Sequence, residues 1–284
     1  MVKPVPLAAS RRGEGPLLVC HPGGPGMHPD YLDAVYTLAD RHEVALLHPR
    51  GTGSSPRPTR PDAYSVDEYV ADAVAWIEAC GDAPVHLLGH SHGGVVATRV
   101  AAARPDLVRT LVLLGTPAYG GDRAEAEAEA LQAARAAEPE CAAARQALAE
   151  QGDGYPPERD LGRFIAAIIP LWVAPMTAHA RRWQARVAEQ PVNLHAMRYF
   201  EEHVFPDLDA VTADLARVDC PVLALAGDLD GWAGPAHLAR LAGCGPNVRT
   251  GILDRCGHMC HVDRIDHITD LVTTFLIEHE KGPA

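Results

Sequence analysis

Three short stretches of this sequence carry residue types that could together break an acyl bond. The first runs from Val85 to Val96, Val-His-Leu-Leu-Gly-His-Ser-His-Gly-Gly-Val-Val. An apolar run ends there in Gly89-His90-Ser91-His92-Gly93, and an Ala/Val-rich helical run follows. Gly-x-Ser-x-Gly between a strand and a helix is the setting of a nucleophile elbow, which lifts the hydroxyl to the carboxyl end of a sheet. The flanking glycines suit a turn too tight for a Cβ on either side. The second stretch, Gly227-Asp228-Leu229-Asp230, and the third, Cys256-Gly257-His258, also follow apolar runs. A serine hydroxyl is a poor nucleophile until a base takes its proton, and that base is usually an imidazole oriented by a carboxylate. Ligands gather at the carboxyl edge of open parallel sheets, where all three stretches fall. The expected triad is Ser91, Asp230 and His258.

Two carboxylates compete for the acid role. The usual spacing after such a strand, Gly-x-x-Asp, selects Asp230 and leaves Asp228 as a loop or cap carboxylate. Fifteen histidines make any one of them uninformative, but His258 sits between a strand and the last helix, in Gly-His followed by His-Val-x-Arg. Cys256, His258, Cys260 and His261 could be imagined as a zinc cluster. So short a stretch would struggle to place four ligands tetrahedrally, and no second Cys/His pair lies at finger-like spacing, so no metal is expected. A tetrahedral oxyanion needs two preset N–H donors. The amide of His92 follows the serine, and Gly23-Gly24-Pro25-Gly26 allows close backbone approach, with Gly24 the choice for the second donor. That loop is no phosphate cradle, since it lacks a following Lys-Ser/Thr and dinucleotide-type glycine spacing. No cofactor is expected.

The elements that must position these groups alternate. Strands are expected at Leu17 to Cys20, Val44 to Leu47, Val85 to Leu88, Thr110 to Leu114, Pro221 to Ala226 and Val248 to Leu253. Helices are expected between them, at Tyr31 to Leu38, Ser65 to Glu78, after the elbow to about Arg104, Pro235 to Leu241 and Ile265 to Glu280. Near-continuous apolar strands alternating with helices predict an α/β fold with a mostly parallel sheet covered on both faces. From Ala118 to Ala213 no strand signal appears. Asp122 to Glu150 is rich in Ala, Glu, Gln and Arg, interrupted by Pro139, and three further helical stretches follow. The expected organisation is a core over 1–117, an inserted all-helical cap over 118–213, and the rest of the core over 214–284.

The totals exclude several partners. The 284 residues carry a formal net charge of −12, which disfavours nucleic acid and anionic membranes. No stretch approaches the about 20 apolar residues of a membrane helix, and none resembles a signal peptide. Seven cysteines, an odd count, suit reduced thiols, and a cytoplasmic location is expected.

With these residues in view, the chain resembles the α/β-hydrolase family, and within it the proline iminopeptidase-like branch. His21-Pro22-Gly23-Gly24-Pro25-Gly26 is similar to that branch's His-Gly-Gly-Pro-Gly loop, and Pro49-Arg50-Gly51-Thr52-Gly53-Ser54-Ser55 resembles its Arg-Gly loop. Glu201-Glu202-His203-Val204-Phe205 resembles its Glu-Asn-His-Tyr-Phe segment, which implies Glu201 as an anchor for a substrate ammonium. The elbow differs from that branch's Gly-Gly-Ser-Trp-Gly by carrying His90 and His92. One extra residue separates His21 from Gly23, and His48 replaces an expected acidic residue. The resemblance implies a serine hydrolase releasing an N-terminal amino acid, or cleaving a related small amide, from a small-molecule or short-peptide substrate. The rival expectation is an esterase or lactonase with the same triad. A third is a ligand-binding protein that has kept the fold.

Overall fold

The computed structural model describes residues 3–60, 62–152 and 154–280. The outer domain limits, residues 1 and 284, therefore lie outside that description. Seven strands, β1 (Ala8–Arg12), β2 (Leu17–His21), β3 (Glu43–His48), β4 (Val85–His90), β5 (Val108–Leu114), β6 (Val222–Gly227) and β7 (Val248–Leu253), form one sheet. Their spatial order is β1-β3-β2-β4-β5-β6-β7, and every pairing is parallel except that of β1 with β3. This is the α/β-hydrolase fold that the resemblance implies, and its mostly parallel sheet is the one the alternation of apolar runs predicts. The antiparallel β1 is an addition. Its Ala-Ala-Ser-Arg-Arg sequence has no apolar run because it is a half-exposed edge strand with one neighbour.

The central strands are apolar along their whole length because both faces are covered. Residues two apart share a face. Leu17, Val19, Leu111 and Leu113 pack with Ile77, Val96 and Val100 of α1 (Val66–Cys80) and α2 (His92–Ala103). Leu18, Cys20, Val112 and Leu114 face the other way, into a core shared with the C-terminal helix over Ile265–Glu278. Helix α1 begins where the Ser65 hydroxyl accepts the Glu68 N–H, and it ends at Gly81 in the left-handed region (φ 74°).

Between β5 and β6 the described residues hold helices and no strand: α3 (Gly121–Ala134), α4 (Pro139–Gln151), α5 (Glu158–Ile168), α6 (Ala178–Ala188), α7 (Leu194–Tyr199) and α8 (Ala210–Leu215). The Ala/Glu-rich run is two helices, divided ahead of Pro139 as expected, and Pro139 opens α4 because its missing N–H costs nothing in a first turn. Leu161, Ile165, Trp183 and Val187 of this stretch belong to the same apolar cluster as the sheet face, so the helices pack onto the core directly. After β6 come α9 (Pro235–Ala242), α10 (Cys260–Asp263) and α11 (Ile265–Glu278). The segment expected as a helix over Tyr31 to Leu38 is a 3₁₀-helix over Pro29–Asp40. No helix among the described residues is long and apolar enough to cross a membrane.

A buried ion pair ties the loop after β3 to α1. Arg50 is 1% exposed and its guanidinium donates to both Asp72 oxygens, at 2.7 and 2.8 Å. It also donates to the Ala63 carbonyl at 2.7 Å and to the Glu68 carboxylate. Asp72, equally buried, accepts one more bond from the Val5 N–H at 2.7 Å. Removing one partner strands a desolvated charge, which typically costs about 3–5 kcal/mol. Arg50→Ala is therefore expected to lower the urea midpoint by an amount equivalent to about 3–5 kcal/mol, with an unchanged m-value. A loss below about 1 kcal/mol, the range of exposed ion pairs, would contradict the buried assignment.

Candidate active site

Ser91 lies at the one-residue joint between β4 and α2, with φ 55° and ψ −124°. A non-glycine residue in this region costs on the order of 1–3 kcal/mol, so its surroundings must hold it there. Its N–H donates to the Leu114 carbonyl at the end of β5, at 2.9 Å. Crowding supplies the rest of the constraint. A Cβ on Gly93 would lie 2.1 Å from the His21 carbonyl oxygen, and one on Gly23 would lie 2.7 Å from the Ser91 Cβ. The elbow and the loop after β2 therefore pass each other backbone to backbone, which only glycine permits.

The structure brings Ser91, His258 and Asp230 into one hydrogen-bonded chain. His258 Nε2 is 3.0 Å from Ser91 Oγ, and His258 Nδ1 is 2.9 Å from Asp230 Oδ2. The other carboxylate oxygen of Asp230 accepts the Trp232 and Ala233 N–H groups, at 2.8 and 2.9 Å. Burial pushes the Asp230 carboxyl up, but the adjacent His258 imidazole and these two amides outweigh it and hold the group below the usual carboxylate range. An ionised Asp230 only accepts, so Nδ1 carries the ring proton and the Nε2 lone pair faces the serine hydroxyl. Asp228 lies elsewhere, accepting the Cys256 N–H at 3.0 Å and so pinning the loop that leads to His258.

The candidate oxyanion donors are the amide of His92, which directly follows Ser91, and that of Gly24 in the loop after β2. Gly23 spends its amide on the Tyr31 hydroxyl, at 2.6 Å. Among the described residues the amides of Gly24 and His92 donate to no protein acceptor. The His92 ring is buried edge-on between Tyr69 and Phe200, with centroids 5.2 and 5.4 Å away, and burial pushes its imidazole down to about 3. Glu201 follows Phe200 in a π-helical stretch over Phe200–Val204. It is exposed, and its carboxylate accepts the Tyr155 hydroxyl.

Loop contacts set the position of the imidazole. Asp263 Oδ2 accepts the Gly257 N–H at 2.8 Å and the Ala174 N–H at 2.9 Å, and Met259 N donates to the Trp172 carbonyl at 3.1 Å. The loop carrying His258 is thus tied to the segment between α5 and α6. Cys256 and Cys260 are free, buried thiols. His261 Nε2 faces the Tyr31 carbonyl, at 3.1 Å. No group of three or more His, Cys, Asp or Glu side chains among the described residues is placed to hold a metal ion.

The sequence profile of the alpha/beta hydrolase fold matches residues 16–265. The chain belongs to the alpha/beta hydrolase family. It is 32% identical over 276 residues to the polyketide synthase ThaQ of Burkholderia thailandensis, a match covering 94% of this chain but 12% of that protein. It is 26% identical over 258 residues to RutD of Pseudomonas savastanoi pv. phaseolicola, covering 89% of this chain and 90% of RutD. Among solved structures it is similar to the proline iminopeptidase of Mycobacterium smegmatis, with a TM-score of 0.74 and 23% identity over 98% of both chains. That likeness is one of fold.

Sequence patterns missed the contacts that hold this alpha/beta hydrolase site together. Tyr31, Asp263 and Phe200 have no motif of their own, and Trp232 and Ala233 contribute backbone groups that any residue could supply.

Asp263 gives a pH signature. Burial pushes its carboxyl up to about 7, against about 3.9 in an unfolded chain. Between those values the folded state holds a proton that the unfolded state has lost, so stability falls as pH rises through this window. Asp263→Asn retains a carbonyl oxygen for both amides and does not ionise. Its stability relative to the parent protein should rise from pH 5 to pH 8 in thermal or urea unfolding. A difference that does not change with pH would contradict the shifted carboxyl.

Proposed function

We propose that the protein is a serine hydrolase that transfers an acyl group through a covalent intermediate on Ser91. The observation that carries this reading is the continuous chain from Ser91 Oγ through His258 to Asp230. Ser91 Oγ attacks the substrate carbonyl while His258 Nε2 takes its proton, and Asp230 stabilises the resulting imidazolium. The amides of His92 and Gly24 receive the oxyanion. Collapse expels the leaving group, which takes the proton from His258. Water then attacks the acyl-enzyme by the same route, returning the proton to Ser91. In this reading the helices between β5 and β6 act as a cap, with Phe200 over the elbow and Trp172 against the His258 loop.

For the substrate, we propose a small neutral ester or lactone. The side chains packed beside the elbow and the acid loop are aromatic and uncharged: His92, Phe200, Phe205 and Trp232 follow one another with ring centroids 5.4, 6.1 and 6.2 Å apart. Such a wall favours an apolar acyl or alcohol group. A second reading, release of an N-terminal amino acid, rests on Glu201, which directly follows Phe200. A carboxylate there could pair with a substrate ammonium once released from Tyr155.

Acyl p-nitrophenyl esters, amino-acyl p-nitroanilides and their N-blocked counterparts separate the two readings. Ester turnover well above amide turnover, indifferent to a blocked amino group, is expected. Preference for free amino-acyl anilides that is lost in Glu201→Gln would install the aminopeptidase reading instead. In either case Asp230→Asn is expected to lower kcat by on the order of 10⁴-fold. Ser91→Ala with unchanged turnover would remove the nucleophile assignment.

A further inference from the structure

Behind the nucleophile runs a buried polar chain that no proton-transfer step uses. Tyr31 and His90 are each 1% exposed. The Gly23 N–H donates to the Tyr31 hydroxyl oxygen at 2.6 Å, which lies 2.8 Å from His90 Nδ1. His90 Nε2 in turn lies 3.1 Å from the carbonyl oxygen of His258. The direction of every link follows from its ends. A carbonyl oxygen can only accept, so His90 Nε2 carries the hydrogen. Burial, with the His261 and His258 rings nearby, holds His90 neutral, so Nδ1 is a bare lone pair. The Tyr31 O–H therefore donates to Nδ1, and its own lone pair takes the Gly23 N–H. Tyr31 is itself fixed by its backbone carbonyl, which accepts the Trp183 indole N–H at 2.8 Å and faces His261 Nε2 at 3.1 Å.

We infer that Tyr31 and His90 are positioning residues for acyl transfer, joining the oxyanion loop and the base loop through the residue that precedes the nucleophile. The inference rests on the serine-hydrolase reading. The Tyr31 hydroxyl occupies the Gly23 amide, while the Gly24 amide has no protein acceptor among the described residues. His90 holds the backbone of the base, through its carbonyl, at a fixed distance from the elbow. Oxyanion donors act only once the carbonyl oxygen becomes charged, so a loop released by a few tenths of an ångström loses kcat and leaves KM nearly untouched.

Three variants test this without changing core volume greatly. Tyr31→Phe deletes the hydroxyl alone. His90→Gln can keep an N–H for the His258 carbonyl but offers nothing at the Nδ1 position, so it cuts the same link from the other side. The double variant removes both. Each single variant should lose about 10–100-fold in kcat, somewhat less than outright removal of an oxyanion donor, with KM within about twofold. The rate of phosphonylation of Ser91 by a fluorophosphonate should fall in parallel. Because the two side chains form one link, the double variant should lose no more than about threefold beyond either single one. A Tyr31→Phe protein labelled at the parent rate, or slowed only through KM, overturns the inference. His90→Gln decides the same question if Tyr31→Phe does not fold. Failure of the unaltered protein to react with the fluorophosphonate would instead remove the hydrolase reading, and this inference with it.

Discussion

A serine held at φ 55° persists only where the surrounding chain blocks its relaxation. Here the blocking is done by backbone rather than by side chains. The Ser91 amide is bonded to Leu114 of the neighbouring strand, and the loop after β2 crosses so close that neither Gly23 nor Gly93 has room for a methyl group. The same crossing sets Gly23 against the elbow, where a Cβ would lie 3.0 Å from the His92 nitrogen. Strain at the nucleophile and the close approach of the loop after β2 have one physical origin.

The polarity of the hydrogen bonds around this joint is fixed as firmly as its geometry. Asp230 stays ionised because His258 and two backbone amides outweigh its burial. That places the proton on His258 Nδ1 and leaves Nε2 free to accept. His90 is fixed in the opposite tautomer by a different partner, the His258 carbonyl, which accepts its Nε2–H. Adjacent imidazoles with centroids 5.2 Å apart thus have separate tasks, set by what each nitrogen faces. The aromatic wall of His92, Phe200, Phe205 and Trp232 adds no charge to this arrangement, since burial keeps the His92 ring neutral.

How much of this was legible beforehand depends on whether a feature is local in the chain. The buried strands announced themselves as apolar runs, and the three site stretches as motifs at strand ends. Strand β1 did not, because an edge strand of Ala, Ser and Arg carries no apolar run. The Tyr31–His90 link joins residues 59 apart, and the link from His90 to the His258 carbonyl spans 168. Neither has a spacing that a sequence pattern could reveal. Glu201 stood out as part of a recognisable segment, yet its partner Tyr155 lies 46 residues away in the chain, and its exposure only the folded structure shows. His90 was visible as a departure at the elbow. What it bonds to was not.

The most direct measurement is a crystal structure of the protein phosphonylated on Ser91, in which the phosphoryl oxygen marks the place of the oxyanion. The account predicts that oxygen within roughly 2.7–3.1 Å of both the His92 and Gly24 nitrogens. The Gly23 N–H should still be bonded to Tyr31, and His258 still to Asp230. A phosphoryl oxygen bonded to the Gly23 amide, with the Tyr31 hydroxyl displaced, would contradict it.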